Sequence, residues 1–214
     1  MDVVLPCLDE AAALPGVLAS LPLGYRAIVV DNGSRDGSAG VAAAHGAKVV
    51  DEPRRGYGAA VHTGLENATA DIVCFADADG SLDLAELPRL VAAVVDGADL
   101  AVGRRVPVSR AAWPWHARAG NAVLSLLLRF RGLPVRDIAP LRAVRRRELL
   151  ALGVADRAFG YPLELLVKAQ RAGWVVQEFD VAYRERARGT KSKVSGSVRG
   201  TVRAVRDFGR VLVR

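Results

Sequence analysis

At 214 residues and 22.7 kDa, with 51% hydrophobic and 25% charged residues, the chain has the balance of a folded globule with one substantial core, which excludes a collagen, a coiled coil and a disordered tail protein. Two cysteines, Cys7 and Cys74, are too few for a disulfide framework and sit in apolar runs, as buried reduced thiols do, so a cytoplasmic location is expected. The net charge of +7 conceals a split: residues 1–103 carry 6 Lys and Arg against 15 Asp and Glu, and residues 104–214 carry 24 against 8, an acidic front suited to a metal and a basic back suited to phosphate, lipid headgroup or nucleic acid.

Residues 2–5 (DVVL) read as a strand and residues 9–21 as a helix, followed by a strand at 27–30 (AIVV), the turn DNGSRDGS and a short helix through 41–44. The alternation continues with a strand at 48–50, a helix at 57–68, a strand at 71–76 (DIVCFA), a helix at 87–95 and a strand at 98–102. Strands separated by helical patterns of this length predict βαβ units and a mostly parallel sheet covered on both faces. Beyond Gly103 the pattern changes. Trp113, Trp115 and His116 lead into 121–130 (NAVLSLLLRF), a helix apolar on nearly every side, and RDIAPLRAVRRRELL carries no assigned element. A helix at 163–172, a strand at 175–179 and a tail close the chain; from Arg184 to Arg214 the tail holds 10 Lys and Arg against Glu185 and Asp207. Its end, 197–214, has the spacing of a basic amphipathic helix, and residues 1–196 form the expected single domain, made of an acidic half, 1–103, and a basic half, 104–196.

In open sheets of this type ligands bind at the carboxyl ends of the strands. Acidic and turn residues gather there: Asp9 and Glu10, Asp31 and Asn32, Asp51, then Asp77 and Asp79. The sharpest signal is DADG at 77–80, directly after an apolar strand. Two carboxylates on a tight turn, Asp79 expected at its surface, present hard oxygens to Mg²⁺ or Mn²⁺ and leave coordination sites for substrate phosphates. No G-x-G-x-x-G follows the first strand and no P-loop occurs, which removes the main support for dinucleotide oxidoreductases and P-loop NTPases. The cysteines lie far from any His cluster, which speaks against zinc, and His45, His62 and His116 are scattered. No run of 18 apolar residues and no signal-peptide pattern is seen.

The order LPCLDE, IVVDNGSRDGS, EPRRGYGAAVHTGL, DIVCFADADGS, LAVGRR, RDIAPLRAVRR, FGYPLELLVKA and YRERARGTKSK resembles glycosyltransferase family 2, in its dolichyl-phosphate mannose synthase-like branch, over about residues 2–196. The resemblance implies a GT-A fold and a metal-dependent, inverting transfer of a hexose from a GDP- or UDP-sugar. It implies a donor site from Pro6, Asp9, Glu10, Asp31, Gly33, Ser34, Gly56, Gly58, Asp77 and Ala78, with Asp31 reading the base or ribose and Asp77 and Asp79 holding the metal. The usual N-E is Asp9-Glu10 here, the usual D-D-G-S is Asp31-Asn32-Gly33-Ser34, and the membrane-spanning C-terminal extension of some members is not seen.

Departure of a nucleoside diphosphate develops negative charge, for which Arg104, Arg105, Arg184, Arg188 and Lys191 are the candidate cations, with Lys193 in the same YRERARGTKSK segment forming a lid. The acceptor is either a polyprenyl phosphate, already ionised and needing no base, or a soluble hydroxyl, for which Asp137 is the candidate base. Glu164, at the start of a helix, is expected to orient the acceptor or a lid arginine, or simply to complement the helix dipole. The two tryptophans, the apolar helix and the basic tail point to a peripheral membrane surface, against a buried core helix or a homodimer face. A nucleotidyltransferase would show a basic Gly-rich loop after the first strand, and CLDEAAALPG has none; a nucleic-acid-binding module would show a basic groove interleaved with aromatics, and none is visible.

Overall fold

The computed structural model describes residues 1–109, 111–113, 115–130, 132–133, 135–187 and 206–211. In chain order the elements are β1 (Asp2–Cys7), α1 (Leu14–Ala19), β2 (Arg26–Asp31), α2 (Ser38–Ala44), β3 (Lys48–Asp51), α3 (Tyr57–Asn67), β4 (Ile72–Phe75), α4 (Leu87–Val95), β5 (Leu100–Pro107), α5 (Trp115–Phe130), β6 (Leu141–Arg145), α6 (Arg146–Leu152), α7 (Tyr161–Arg171) and β7 (Val176–Tyr183). The strands form one sheet in the order β3-β2-β1-β4-β6-β5-β7. β6 alone runs antiparallel to its neighbours β4 and β5; every other pairing is parallel.

The apolar runs alternate faces as a pleated strand requires. Val3, Leu5 and Cys7 pack with α1 and α4 on one side of the sheet, while Val4, Ile28 and Val30 pack with α3 and α7 on the other. Both thiols are free and buried, and burial pushes Cys7 up to about 11 and Cys74 up to about 12. The expected mostly parallel, doubly covered sheet is therefore present. Several boundaries differ: α5 begins at Trp115 rather than at 121, and β7 runs on to Tyr183 rather than ending at 179. Residues 141–152, without an assignment from sequence, supply β6 and α6; β5 runs on to Pro107; and the helix expected over 9–21 is confined to 14–19, because Asp9 takes a left-handed φ of 53° in the loop before it. Of the tail, residues 206–211 are helical, with Val211 buried against the α3–α7 side of the core; the rest of 197–214 lies outside the described residues.

One buried carboxylate closes the amino end of the sheet. Asp2, 2% exposed, accepts the backbone N–H groups of Thr69 at 2.6 Å and Ala70 at 2.8 Å and pairs with Arg26 at 2.7 Å. Burial raises its pKa, but those two amides and Arg26 more than reverse this and hold it below its ordinary value. A depressed folded pKa contributes stability that is present above the unfolded value and lost as pH falls through the folded one. Asp2→Ala is therefore expected to cost about 2 kcal/mol at neutral pH, with the deficit vanishing in acid; a variant whose urea midpoint matches the parent's at pH 7 would contradict this.

Candidate active site

The carboxyl ends of β1, β2 and β3 are in register, with Cys7 opposite Asp31 and Asp31 opposite Asp51. Two loops close over this edge by binding each other. The Asp9 amide donates to Ser34 Oγ at 2.9 Å, Asp9 Oδ1 accepts from the Arg35 amide at 2.8 Å, and the Glu10 amide donates to Ser38 Oγ at 2.9 Å. Asp31 Oδ1 accepts from the Ser34 amide and hydroxyl, so that Oδ2 is the oxygen without a hydrogen bond among the described residues. Asn32 ties this edge to the next loop: its Nδ2 donates to the carbonyls of Glu52 and Arg54, and its Oδ1 accepts from the Gly56 amide. Pro6, Gly33 and Ser34 are half-buried along the same rim.

Gly56 and Gly58 are needed for backbone approach. The amides of Gly58 and Ala59 donate to the carbonyls of Ala158 and Arg157, at 2.9 Å each, and a Cβ on Gly56 would lie 2.1 Å from the Arg157 carbonyl oxygen. Glu164 braces the partner loop: its carboxylate accepts from the amides of Ala155 and Asp156 and pairs with Lys168 at 3.4 Å. Glu164 thus holds the loop on which α3 is seated.

The DADG turn follows β4. Asp79 is only 2% exposed, so the surface position expected for it is corrected: its Oδ1 accepts from the Ser81 amide at 2.9 Å and the Ser81 hydroxyl at 2.6 Å, and its Oδ2 pairs with Arg186 at 2.9 Å. Ala78 is buried between the two acids. Asp77 is half-buried; desolvation and then the neighbouring Asp79 charge raise its pKa, and Arg186, Arg105 and Arg142 draw it back down. Asp77 and Asp79 are hard-oxygen donors of the kind a divalent cation takes, and the Arg186 guanidinium occupies one of their oxygens, Asp79 Oδ2. Among the described residues no three His, Cys, Asp or Glu gather as a metal cage. Asp77 and Asp79 would supply the one or two protein carboxylates that Mg²⁺ or Mn²⁺ takes, the rest of the shell being phosphates and water.

All three arginines come from the basic half of the chain, so the two oppositely charged halves meet at this turn. Arg104 and Arg105 are successive residues of β5 and diverge to opposite faces. Arg104 pairs with Asp180 at 2.7 Å, whereas Arg105 turns toward the acidic turn. Arg105 donates to both oxygens of Asp137, from Nε at 2.8 Å and Nη2 at 2.7 Å, its amide adds a third bond at 2.9 Å, and its guanidinium lies 4.1 Å from the Trp113 ring centroid. Asp137 is 1% exposed, with both oxygens taken by one cation. Arg142 on β6 lies opposite Phe75 of β4 and is fully buried, and its Nη2 donates to the Ile138 carbonyl. Burial lowers its pKa, opposed by Tyr57, Tyr161, Asp137 and Asp77 around it. Arg184 pairs with Asp83 at 3.2 Å. Arg188, Lys191 and Lys193 lie outside the described residues. The sequence by itself does not single out Arg142 or Arg186. The one signal was an arginine in the otherwise apolar LRAV; Arg186 is indistinguishable from its charged neighbours.

The glycosyl transferase family 2 model matches residues 2–152. The chain belongs to glycosyltransferase family 2. An uncharacterised glycosyltransferase of Mycobacterium tuberculosis is 60% identical over 213 residues, covering 99% of this chain and 97% of its own. A dolichyl-phosphate hexose transferase of Haloferax volcanii is 31% identical over 195 residues, covering 89% and 86%. A polyprenol monophosphomannose synthase of Mycolicibacterium smegmatis is 31% identical over 228 residues, covering 97% and 86%. Among solved structures, glucosyl-3-phosphoglycerate synthase from Mycobacterium tuberculosis, in complex with Mn²⁺, UDP and glucosyl-3-phosphoglycerate, superposes with a TM-score of 0.80 at 24% identity over 99% of this chain and 78% of that one. The fold of this family 2 transferase is accordingly GT-A, as the sequence motifs implied. Its relatives bearing polyprenyl-phosphate names place it with the dolichyl-phosphate mannose synthase-like branch.

Proposed function

We propose that the protein is a metal-dependent, inverting hexosyltransferase that moves a hexose from a UDP- or GDP-sugar to a polyprenyl phosphate at a membrane surface. The observation that carries this reading is the acidic turn, Asp77 and Asp79, with Arg186 paired to Asp79 and with Arg105 and Arg142 near enough for their charges to act on Asp77. Asp77 and Asp79 would hold Mg²⁺ or Mn²⁺, which would supply positive charge to the departing diphosphate. The arginines add preorganised charge where negative charge develops. The phosphate oxygen of the acceptor attacks the anomeric carbon from the face opposite the leaving group, and since that oxygen is already ionised, no proton need be removed. Asp137 then serves to aim Arg105, both its oxygens being committed to that guanidinium. The competing reading, a soluble hydroxyl acceptor with Asp137 as base, would require a carboxylate freed from Arg105.

Asp31 is assigned to the base or ribose of the donor, through its Oδ2. Asp31→Ala is expected to weaken donor binding by about 1–3 kcal/mol with a smaller change in turnover. Calorimetry against UDP- and GDP-sugars in Mn²⁺ tests both this and the donor class. Equal affinity in variant and parent would reduce Asp31 to a turn residue, and no binding of either donor class would remove the proposed function.

Support for a membrane surface comes from α5. Trp115, Val123, Leu126 and Phe130 form an outward stripe at helical spacing, 79%, 59%, 50% and 80% exposed, while among the described side chains of this helix only Ser125 and Leu128 are buried. Exposed Arg118 and Arg129 each lie three residues beyond a member of the stripe, along one edge. An apolar stripe bordered by cations suits an anionic lipid interface. The helix is also tied to the site: Asn121 Oδ1 accepts from the Ile138 amide and its Nδ2 donates to the Arg136 carbonyl, on either side of Asp137. No helix among the described residues is long and apolar enough to cross a membrane. Replacing Trp115 and Phe130 together by Ser is expected to lower binding to anionic vesicles by about 10-fold or more. Unchanged vesicle binding, or a parent that dimerises through this face and ignores vesicles, would contradict the membrane reading.

A further inference from the structure

Residues 183–187 lie against the acidic turn as a short strap. Leu82 and Tyr183 form a bridge, the Arg184 amide donates to the Ser81 carbonyl at 2.9 Å, and the Ala187 amide donates to the Asp79 carbonyl at 3.0 Å. The strap delivers Arg186 to one oxygen. Asp79 Oδ1 is already shared by the amide and hydroxyl of Ser81, so Oδ2 is the oxygen left to face a cation, and that is where the Arg186 guanidinium sits, 2.9 Å away. A divalent ion bound through Oδ2 and a guanidinium hydrogen-bonded to the same oxygen would be like charges within a few ångströms on a buried carboxylate, so the two compete for it.

We propose that Arg186 is the resident counter-cation of Asp79 in the ligand-free enzyme, and that when the metal takes Oδ2 the guanidinium passes to the diphosphate of the donor. The inference rests on the metal role assigned to Asp77 and Asp79 above. It gives Arg186 two opposed effects. It competes with the metal alone, and it stabilises the metal–diphosphate complex. The exchange keeps Asp79 neutralised before the donor arrives and moves one cation onto the leaving group afterward. A guanidinium that merely braces the strap would have neither effect.

The test is Mn²⁺ binding followed by electron paramagnetic resonance of the free ion, first with Mn²⁺ alone and then with UDP or GDP added. Arg186→Gln is expected to bind Mn²⁺ about 5-fold tighter than the parent without nucleotide, the worth of one partly exposed ion pair. With Mn²⁺ saturating, the same variant should bind the nucleoside diphosphate about 10-fold more weakly. Arg186→Lys, which keeps the charge, should fall between parent and Gln in both measurements and serves if the Gln variant does not fold. Equal or weaker Mn²⁺ affinity in the variants, or no Mn²⁺ binding by them without nucleotide, overturns the exchange. The double variant Asp79→Asn, Arg186→Gln separates this from the underlying metal reading. Loss of the gain in the double variant supports the exchange at Asp79, and persistence of the gain means that the metal binds elsewhere, which overturns the metal assignment itself.

Discussion

Asp79→Asn is expected to lower transfer by on the order of 10²- to 10³-fold, the usual cost of removing a primary charge contact to a developing anion. Asparagine is the informative replacement because Asp79 is buried and its Oδ1 organises Ser81. An amide keeps an acceptor there while removing the charge that holds Arg186 and is proposed to hold the metal. Asp79→Ala would also release the Ser81 amide and hydroxyl, mixing a loss of chemistry with a loosened turn. Asp77→Asn should be nearly as damaging to transfer and less so to stability, since among the described residues no hydrogen bond to the Asp77 carboxylate competes with a ligand. Full activity of either Asn variant, with an unchanged melting temperature, would show that the acidic turn does not hold a catalytic metal.

The second large effect is on stability. Asp137→Ala strands the Arg105 guanidinium, 18% exposed, without its carboxylate, and breaking a buried pair by removing one partner costs about 3–5 kcal/mol. For a domain of this size that lowers the melting temperature by about 10 °C or more. Arg105→Met in the same background should restore part of the loss, giving a coupling energy that two independent sites would not show. A proton-abstracting Asp137 gives a different pattern. Asp137→Asn would then leave the fold and donor binding intact and remove the acidic limb of the pH–rate profile with a hydroxyl acceptor.

The parts of this molecule legible from sequence are those whose signal is local. β1, β2 and β4 are short apolar runs bounded by polar turns, and the order of alternating helices is enough to place the acidic turns along one edge. β6 was invisible because Leu141–Arg145 runs into Arg146–Leu152 with no turn residue between them, so strand and helix read as one basic, apolar-spaced segment. The Arg105–Asp137 pair joins residues 32 apart, and nothing in either segment announces the other. The choice between Arg104 and Arg105 turns on strand parity, which needs the register of β5 against β7 before it can be read. For α5, the composition shows an apolar helix but not which side is covered; only packing reveals that the Trp115, Leu126 and Phe130 side faces outward. DADG reads as a surface turn, whereas Asp79 is covered by the strap at residues 183–187, more than a hundred positions away.

The most direct measurement of the central claim is transfer of labelled hexose from UDP- and GDP-sugars, with Mn²⁺ or Mg²⁺, to a polyprenyl phosphate presented in anionic vesicles. The account predicts that with one of these donors the label passes into the lipid phase as a polyprenyl-phosphate sugar, that chelation of the metal stops it, and that Asp79→Asn does the same. Label that stays out of the lipid with every donor, while a water-soluble hydroxyl acceptor is glycosylated in a reaction that depends on Asp137, would contradict it.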